Sequence, residues 1–367
     1  MKDIINEHDK TISGNIPVWN GVSDPTIYCG AAPKLYVNGL HMIEVVISFN
    51  PKSDGKDIED FNLNTDILRN AIRLINYDKP SQSFKKIEKG ELPVIESAVD
   101  DVPDLKLPSG PFFSTEHGVF YTGDEDGNFT SDKKKVSVTL YFGYGPPGNG
   151  NTDRIRLGCI FNFPGGGSQE SSTSGDYHSS SAMITLKDKF SYKYGDIGVS
   201  VSTGDALANG MSNAVATCLY FNFNDIDLKC TTLINVEYDA KMSNNGNPFF
   251  NYKECKKDLS FWTMTDSNIE VDKNKYYTSQ IFHLNKPDLD WNVQFSAANR
   301  KYRGVSVIYV KGNSGGYNFA YWEWATPDKY FPAQFIMYDH FGNGCLVSFL
   351  ADEGLNPNKG SWSVSPI

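Results

Sequence analysis

Long apolar runs are missing from this chain, and so is any concentration of positive charge. No stretch approaches the roughly 18 consecutive apolar residues of a membrane-spanning helix. The opening residues, MKDIINEHDKTISGNIPVW, lack the apolar centre of a secretory signal. The expectation is therefore synthesis in a cytoplasm, with release by lysis or a dedicated machine as the route out. The longest basic run is Lys133-Lys134-Lys135, beside Asp132, in a chain of net charge −10. Nucleic-acid binding rests on Lys and Arg neutralising phosphates, so neither nucleic acid nor an anionic membrane surface is an expected partner.

Metal-binding and catalytic signatures are equally scarce. The six cysteines, Cys29, Cys159, Cys218, Cys230, Cys255 and Cys345, form no CxxC pair. Several lie inside apolar runs, which points to buried free thiols, with one disulfide as the alternative reading. The six histidines are scattered, and no HExxH pair is present. GYGPPGNGNT is glycine-rich but lacks the lysine of a phosphate loop. GMSNA, 210–214, has the outline of a nucleophile elbow around Ser212, without the βαβ pattern such an elbow needs. No cofactor is expected, and the chain reads as non-enzymatic. Acidic pairs such as Asp288/Asp290 and Asp352/Glu353 leave glycoside hydrolysis as the residual enzyme reading, because two carboxylates set roughly 5–10 Å apart by a fold are its requirement.

What the chain does contain is aromatic and alternating. There are 20 Tyr, 23 Phe and 32 Gly, a balance that favours strands joined by many turns. VSVTLYFGY places Val136, Val138, Leu140, Phe142 and Tyr144 on one face, with Ser137, Thr139 and Tyr141 on the other. IRLGCIFNF repeats the pattern from Ile155 to Phe163. Period 2 over nine residues predicts half-buried strands, and the turn-rich GPPGNGNTD between them predicts a long-looped hairpin over Val136–Phe163. Ile43, Val45, Ile47 and Phe49 line one face of an earlier strand, preceded by a turn at Asn38-Gly39. One short helix is expected near residues 64–76, capped by Asn64, with Ile67, Leu68, Ala71, Ile72 and Ile75 toward one side. Residues 79–118 read as irregular. From Ile184 onward short strand-like runs recur between turn signals.

The predicted fold is mainly β, an antiparallel β-sandwich architecture in two packed domains. The expected divisions are 1–164, including the helix, then 165–181, then 182–367. The middle piece, GGGSQESSTSGDYHSSS, carries almost nothing to bury and reads as a linker or display loop, with a lid over a site as the alternative.

Two constellations are candidate sites. Trp322 and Trp324 in NFAYWEW share one strand face, a pair that can stack on sugar rings or simply fill a core. Asp124, Asp126 and Asn128 in GDEDGNFTSD alternate as calcium ligands can, but Phe129 and Lys135 occupy the slots where a calcium loop needs Gly and Glu. Asp126-Gly127 is first of all a turn signal. Asp339-His340, beside FGNG, also reads as a turn.

The preferred function on these grounds is that of a structural, self-assembling β protein: part of a particle, fibre, inclusion, ordered array or injection apparatus. Its partner would be itself, through sheet edges that recruit further strands. The alternative is a lectin-like module or host-directed toxin whose partner is a glycan or cell surface.

Overall fold

The alternating segments form two-faced strands. A computed structural model describes residues 19–59, 61, 63–123, 135–146, 153–173, 179–208, 211–238, 249–252, 260–265, 276–281, 291–296, 302–312, 333–350 and 361–367. Among them strand dominates, in mixed but mostly antiparallel sheets. The chain divides into two units, Met1–Leu92 with Leu107–Lys187, and Pro93–Lys106 with Asp188–Ile367.

The first unit is a sandwich. Its larger sheet runs, in spatial order, Gly21–Tyr28, His41–Ser53, Val136–Gly145, Gly110–Ser114 and Lys85–Lys86. Phe120–Thr122 pairs in parallel with the start of His41–Ser53. The second sheet runs Lys34–Val37, Ala182–Asp188, Arg154–Asn162, Ile72–Asn76 and Lys79–Ser83, with Ser168–Glu170 added on Arg154–Asn162. Ile43, Val45, Ile47, Phe49, Val138, Leu140 and Phe142 from one sheet meet Ile72, Leu74, Leu157, Cys159 and Phe161 from the other in a single buried core. Trp19 plugs one part of it, packed among Phe49, Phe61, Phe161 and Phe163. Burial of such rings is the main driving term, about 25 cal/mol per Å2 of apolar surface.

Three local expectations change. Val136–Gly145 and Arg154–Asn162 are not a hairpin. The first pairs with His41–Ser53 and Gly110–Ser114, the second with Ile72–Asn76, Ser168–Glu170 and Ala182–Asp188. Each turns its apolar face into the same core from opposite sheets, and alternation alone does not distinguish neighbours in one sheet from strands facing across a sandwich. The helix is shorter than predicted. Asn64 caps it as expected, accepting from the Asp66 N–H at 2.7 Å. It ends at Ala71, and Ile72–Asn76 is an inner strand. Ile72 and Leu74, two apart, both point into the core, and the β-branched isoleucines suit a central strand better than a helix end. Within 79–118, Gly110–Ser114 is a regular strand of the larger sheet.

Asn38-Gly39 turns the chain from one sheet to the other rather than closing a hairpin. Gly39 has φ +75°, and the Asn38 side chain accepts from the N–H groups of Leu40 (3.0 Å) and His41 (2.8 Å).

The second unit is also two sheets around one core. Eight strands run Val236–Tyr238, Phe249–Tyr252, Ser260–Thr265, Gly304–Gly312, Met211–Phe223, Ile197–Ala208, Trp291–Ser296 and Tyr276–Ile281. Five run Ser361–Pro366, Gly344–Leu350, Ala333–Tyr338, Cys230–Ile234 and Ala98–Val99. The last is parallel to Cys230–Ile234. Leu219, Phe221, Phe223, Val305 and Val307 pack on Leu233, Phe335, Met337, Val347 and Phe349.

Residues 165–181 fall within the first unit of this division. Their described part is a short strand, Ser168–Glu170, then a 3-10 turn at Ser171–Thr173. Ser171 and Ser180 are fully buried; the Ser171 hydroxyl accepts from the Cys159 N–H at 3.1 Å.

Candidate functional site

The candidate site is built on the outer face of the larger sheet of the first unit. Because Val45, Leu140 and their alternates fill the core, the intervening residues of the same strands face away from it. They include Ser48 and Ser137, whose hydroxyls share a 2.7 Å hydrogen bond, and Glu44, opposite Tyr141 in the register. Next along, Gly143 leaves the space that the Phe112 ring occupies; a Cβ there would overlap the ring. Phe112 joins Met42, Ile87 and Leu92 in a small apolar cluster against which Tyr141 packs.

Tyr121 and His117 complete the surface. Their rings stack with centroids 3.9 Å apart at 30°. Tyr141 meets both edge-on, 5.3 Å from His117 and 5.9 Å from Tyr121. His117 and Tyr121 are exposed and Tyr141 is half-buried. The Tyr141 hydroxyl is held above the usual phenol range, first by burial, then by the nearby charge of Glu44 and by Tyr121, with Arg69 opposing.

Buried polar contacts hold this patch in place. His41, fully buried, accepts from the Tyr36 N–H at its Nδ1 (3.1 Å). Its proton therefore sits on Nε2, which faces the Thr122 hydroxyl at 3.3 Å. Burial lowers the His41 pKa to about 4, so the ring is neutral at pH 7. This contact fixes the strand that carries Tyr121. The Gly118 N–H donates to the Met42 sulfur (3.3 Å), and Lys89 ion-pairs with Glu116. The His117 Nδ1 lies 2.8 Å from the Gly118 carbonyl, which only accepts, so Nδ1 carries a proton, and in the neutral ring Nε2 is the acceptor.

The other candidates fall elsewhere. Trp322, Trp324, Asp124, Asp126 and Asn128 lie outside the described residues, as do Asp288, Asp290, Asp352 and Glu353. No group of three or more His, Cys, Asp or Glu side chains suited to a metal occurs among the described residues. Ser212 lies within the Met211–Phe223 strand, not at a strand-to-helix turn. Asp339 is a turn residue, as its sequence suggests: it is buried and organises the loop between Ala333–Tyr338 and Gly344–Leu350. Cys29, Cys159, Cys230 and Cys345 are free thiols. Burial raises the pKa of all four, that of Cys230 and Cys345 to about 12. That is the opposite of what a reactive thiol needs. No helix among the described residues is long and apolar enough to cross a membrane.

No family model matches the chain, and no curated protein matches it. Among solved structures it is similar to the sialic acid binding region of a Streptococcus sanguinis SK1 adhesin, bound to 3'sLn, at 10% identity. The match covers 88% of this chain and 75% of that one, with a TM-score of 0.21. A score of that size does not amount to a shared fold.

Proposed function

We propose that this is a non-enzymatic binding protein that recognises neutral carbohydrate on the His117–Tyr121–Tyr141 surface. The supporting observation is the exposed stack of His117 on Tyr121, braced edge-on by Tyr141, beside Glu44. The rings touch one another and leave no gap between them for an ammonium group, so a ligand lies on top of the surface rather than inside a cage. The apolar C–H face of a hexose suits that geometry, and the tyrosine hydroxyls and the His117 Nε2 lone pair offer partners for sugar hydroxyls. The Glu44 carboxylate and the net charge of −10 disfavour an anionic sugar.

A glycan array followed by titration tests this. The parent protein is expected to bind neutral hexose-containing glycans in preference to sialylated ones, with Tyr121→Ala weakening binding about tenfold, the size of one lost aromatic contact. Binding of no neutral glycan, or unchanged binding by Tyr121→Ala, refutes the proposal.

Self-assembly is the second reading. Its support is Ser361–Pro366, a six-residue strand that among the described residues ends the order of its sheet. Sedimentation that stays monomeric at high concentration removes it.

A further inference from the structure

Among the described residues, Gly21–Tyr28 ends its sheet and pairs with His41–Ser53 on one side. Edge strands of this length are templates for a second chain. Here outward backbone groups at Val22, Asp24 and Ile27 are already bonded. The Val22 N–H donates to the Gln169 side-chain oxygen at 2.9 Å, and the Gln169 amide nitrogen donates back to the Val22 carbonyl at 3.1 Å. The two bonds reproduce what a neighbouring strand's peptide unit would make. The Lys135 ammonium donates to the Asp24 carbonyl at 2.9 Å. The Ile27 N–H donates to the Ser179 carbonyl at 2.8 Å. Between these points the register shifts, Asp24 has φ +49°, and Pro25 has no N–H to offer. Gln169 itself sits opposite Phe161 in the other sheet, so its side chain bridges the open side of the sandwich.

We infer that Gln169 and Ser179, with Lys135, act as a built-in strand surrogate that closes this edge against a second copy of the chain. The small polar composition around 165–181 follows from that role. Glutamine carries a peptide-like amide at the end of a side chain, and Ser179 reaches the edge with its own carbonyl. Loss of the surrogate leaves Val22 and Ile27 with the hydrogen-bonding outline of an open strand. An isologous, antiparallel pairing of two such edges is the assembly that fits it.

Amide hydrogen exchange and sedimentation velocity test this on the full chain. In the parent, the Val22 and Ile27 amides are expected to be protected although they face away from the sheet. Gln169→Ala is expected to speed Val22 exchange about tenfold in dilute solution, the equivalent of one ordinary hydrogen bond. It is also expected to raise self-association above the parent's, with Val22 protection returning as concentration rises. If Gln169→Ala does not fold, Lys135→Met, which frees the Asp24 carbonyl and leaves Val22 held, is read by sedimentation alone: self-association above the parent's is expected, and a parent-like profile at every concentration overturns the inference. Unprotected Val22 in the parent overturns the inference. So does a folded variant whose Val22 is exposed but whose sedimentation matches the parent at every concentration.

Discussion

Asp339→Ala is the sharpest test of how the second unit is held together. Asp339 is 2% exposed, and each of its oxygens accepts two hydrogen bonds. Oδ1 takes the N–H groups of Phe341 (2.8 Å) and Asn343 (2.9 Å). Oδ2 takes the Tyr192 hydroxyl (2.9 Å) and the Asn343 amide (3.0 Å). Asn343 passes the connection on, its own oxygen accepting from the Phe190 N–H at 3.1 Å. Tyr192 in turn stacks on Phe223 at 4.3 Å, inside the core. Truncation removes the acceptor from two deeply buried donors, Asn343 and Tyr192, each costing about 1–3 kcal/mol, and unties the loop as well. The two donors together make about 2–6 kcal/mol. Against a total of about 5–15 kcal/mol this is a large fraction. Urea unfolding followed by tryptophan fluorescence should show the unit's midpoint falling by about 2 M at an unchanged slope. Asp339→Asn, which keeps one acceptor oxygen, should lose roughly half as much. A variant within about 0.5 kcal/mol of the parent would refute the idea that this carboxylate organises the loop.

Two further outcomes are expected. His41 has its folded pKa lowered to about 4 by burial, against about 6.5 unfolded. The unfolded chain therefore binds the extra proton first as pH falls, and stability drops between about pH 6.5 and pH 4, by about 3 kcal/mol in all. His41→Asn, which still offers an acceptor to the Tyr36 N–H, should flatten that part of the pH–stability curve; equal slopes for parent and variant would exclude His41 as the cause. The thiols of Cys29, Cys159 and Cys345, buried and raised in pKa, should resist iodoacetamide at pH 8 until urea unfolds the chain, as read by peptide mass spectrometry. Rapid labelling of any of the three in the native protein would contradict their placement.

How much was legible in the sequence depends on which interactions decide each feature. Strand faces were readable because the period of 2 is local: Ile43, Val45, Ile47 and Phe49 all reach the core as their spacing requires. So was the Asn64 cap, which needs a partner only two residues away. Pairing was not readable. Whether Val138 and Leu157 are neighbours or face each other across a core depends on which other strands compete for their edges, and nothing in either segment records that. Ile72–Asn76 failed for a related reason. Its isoleucines satisfy a helical stripe and a strand face equally well, and pairing with Arg154–Asn162 settles the choice.

The candidate site was half visible in the same sense. Tyr141 stood in the alternation on the face with Ser137 and Thr139, which puts it outside the core, but a single outward aromatic is ordinary and marks no site by itself. Its companions gave no such sign. His117 and Tyr121 sit in a segment without periodicity, and only the parallel pairing of Phe120–Thr122 with His41–Ile43 brings them beside Tyr141. The buried His41 beneath them is what makes that pairing specific, because a neutral imidazole between Tyr36 and Thr122 accepts from one and donates to the other. The aromatic surface and the acid-sensitive histidine therefore rest on one arrangement. Because the folded ring takes its proton only near about pH 4, glycan affinity of the folded protein should hold while stability falls from about pH 6.5. It should decline only as pH approaches about 4, where charging His41 loosens the strand carrying Tyr121; full affinity of still-folded protein below about pH 4 would show that the site does not depend on the neutral imidazole.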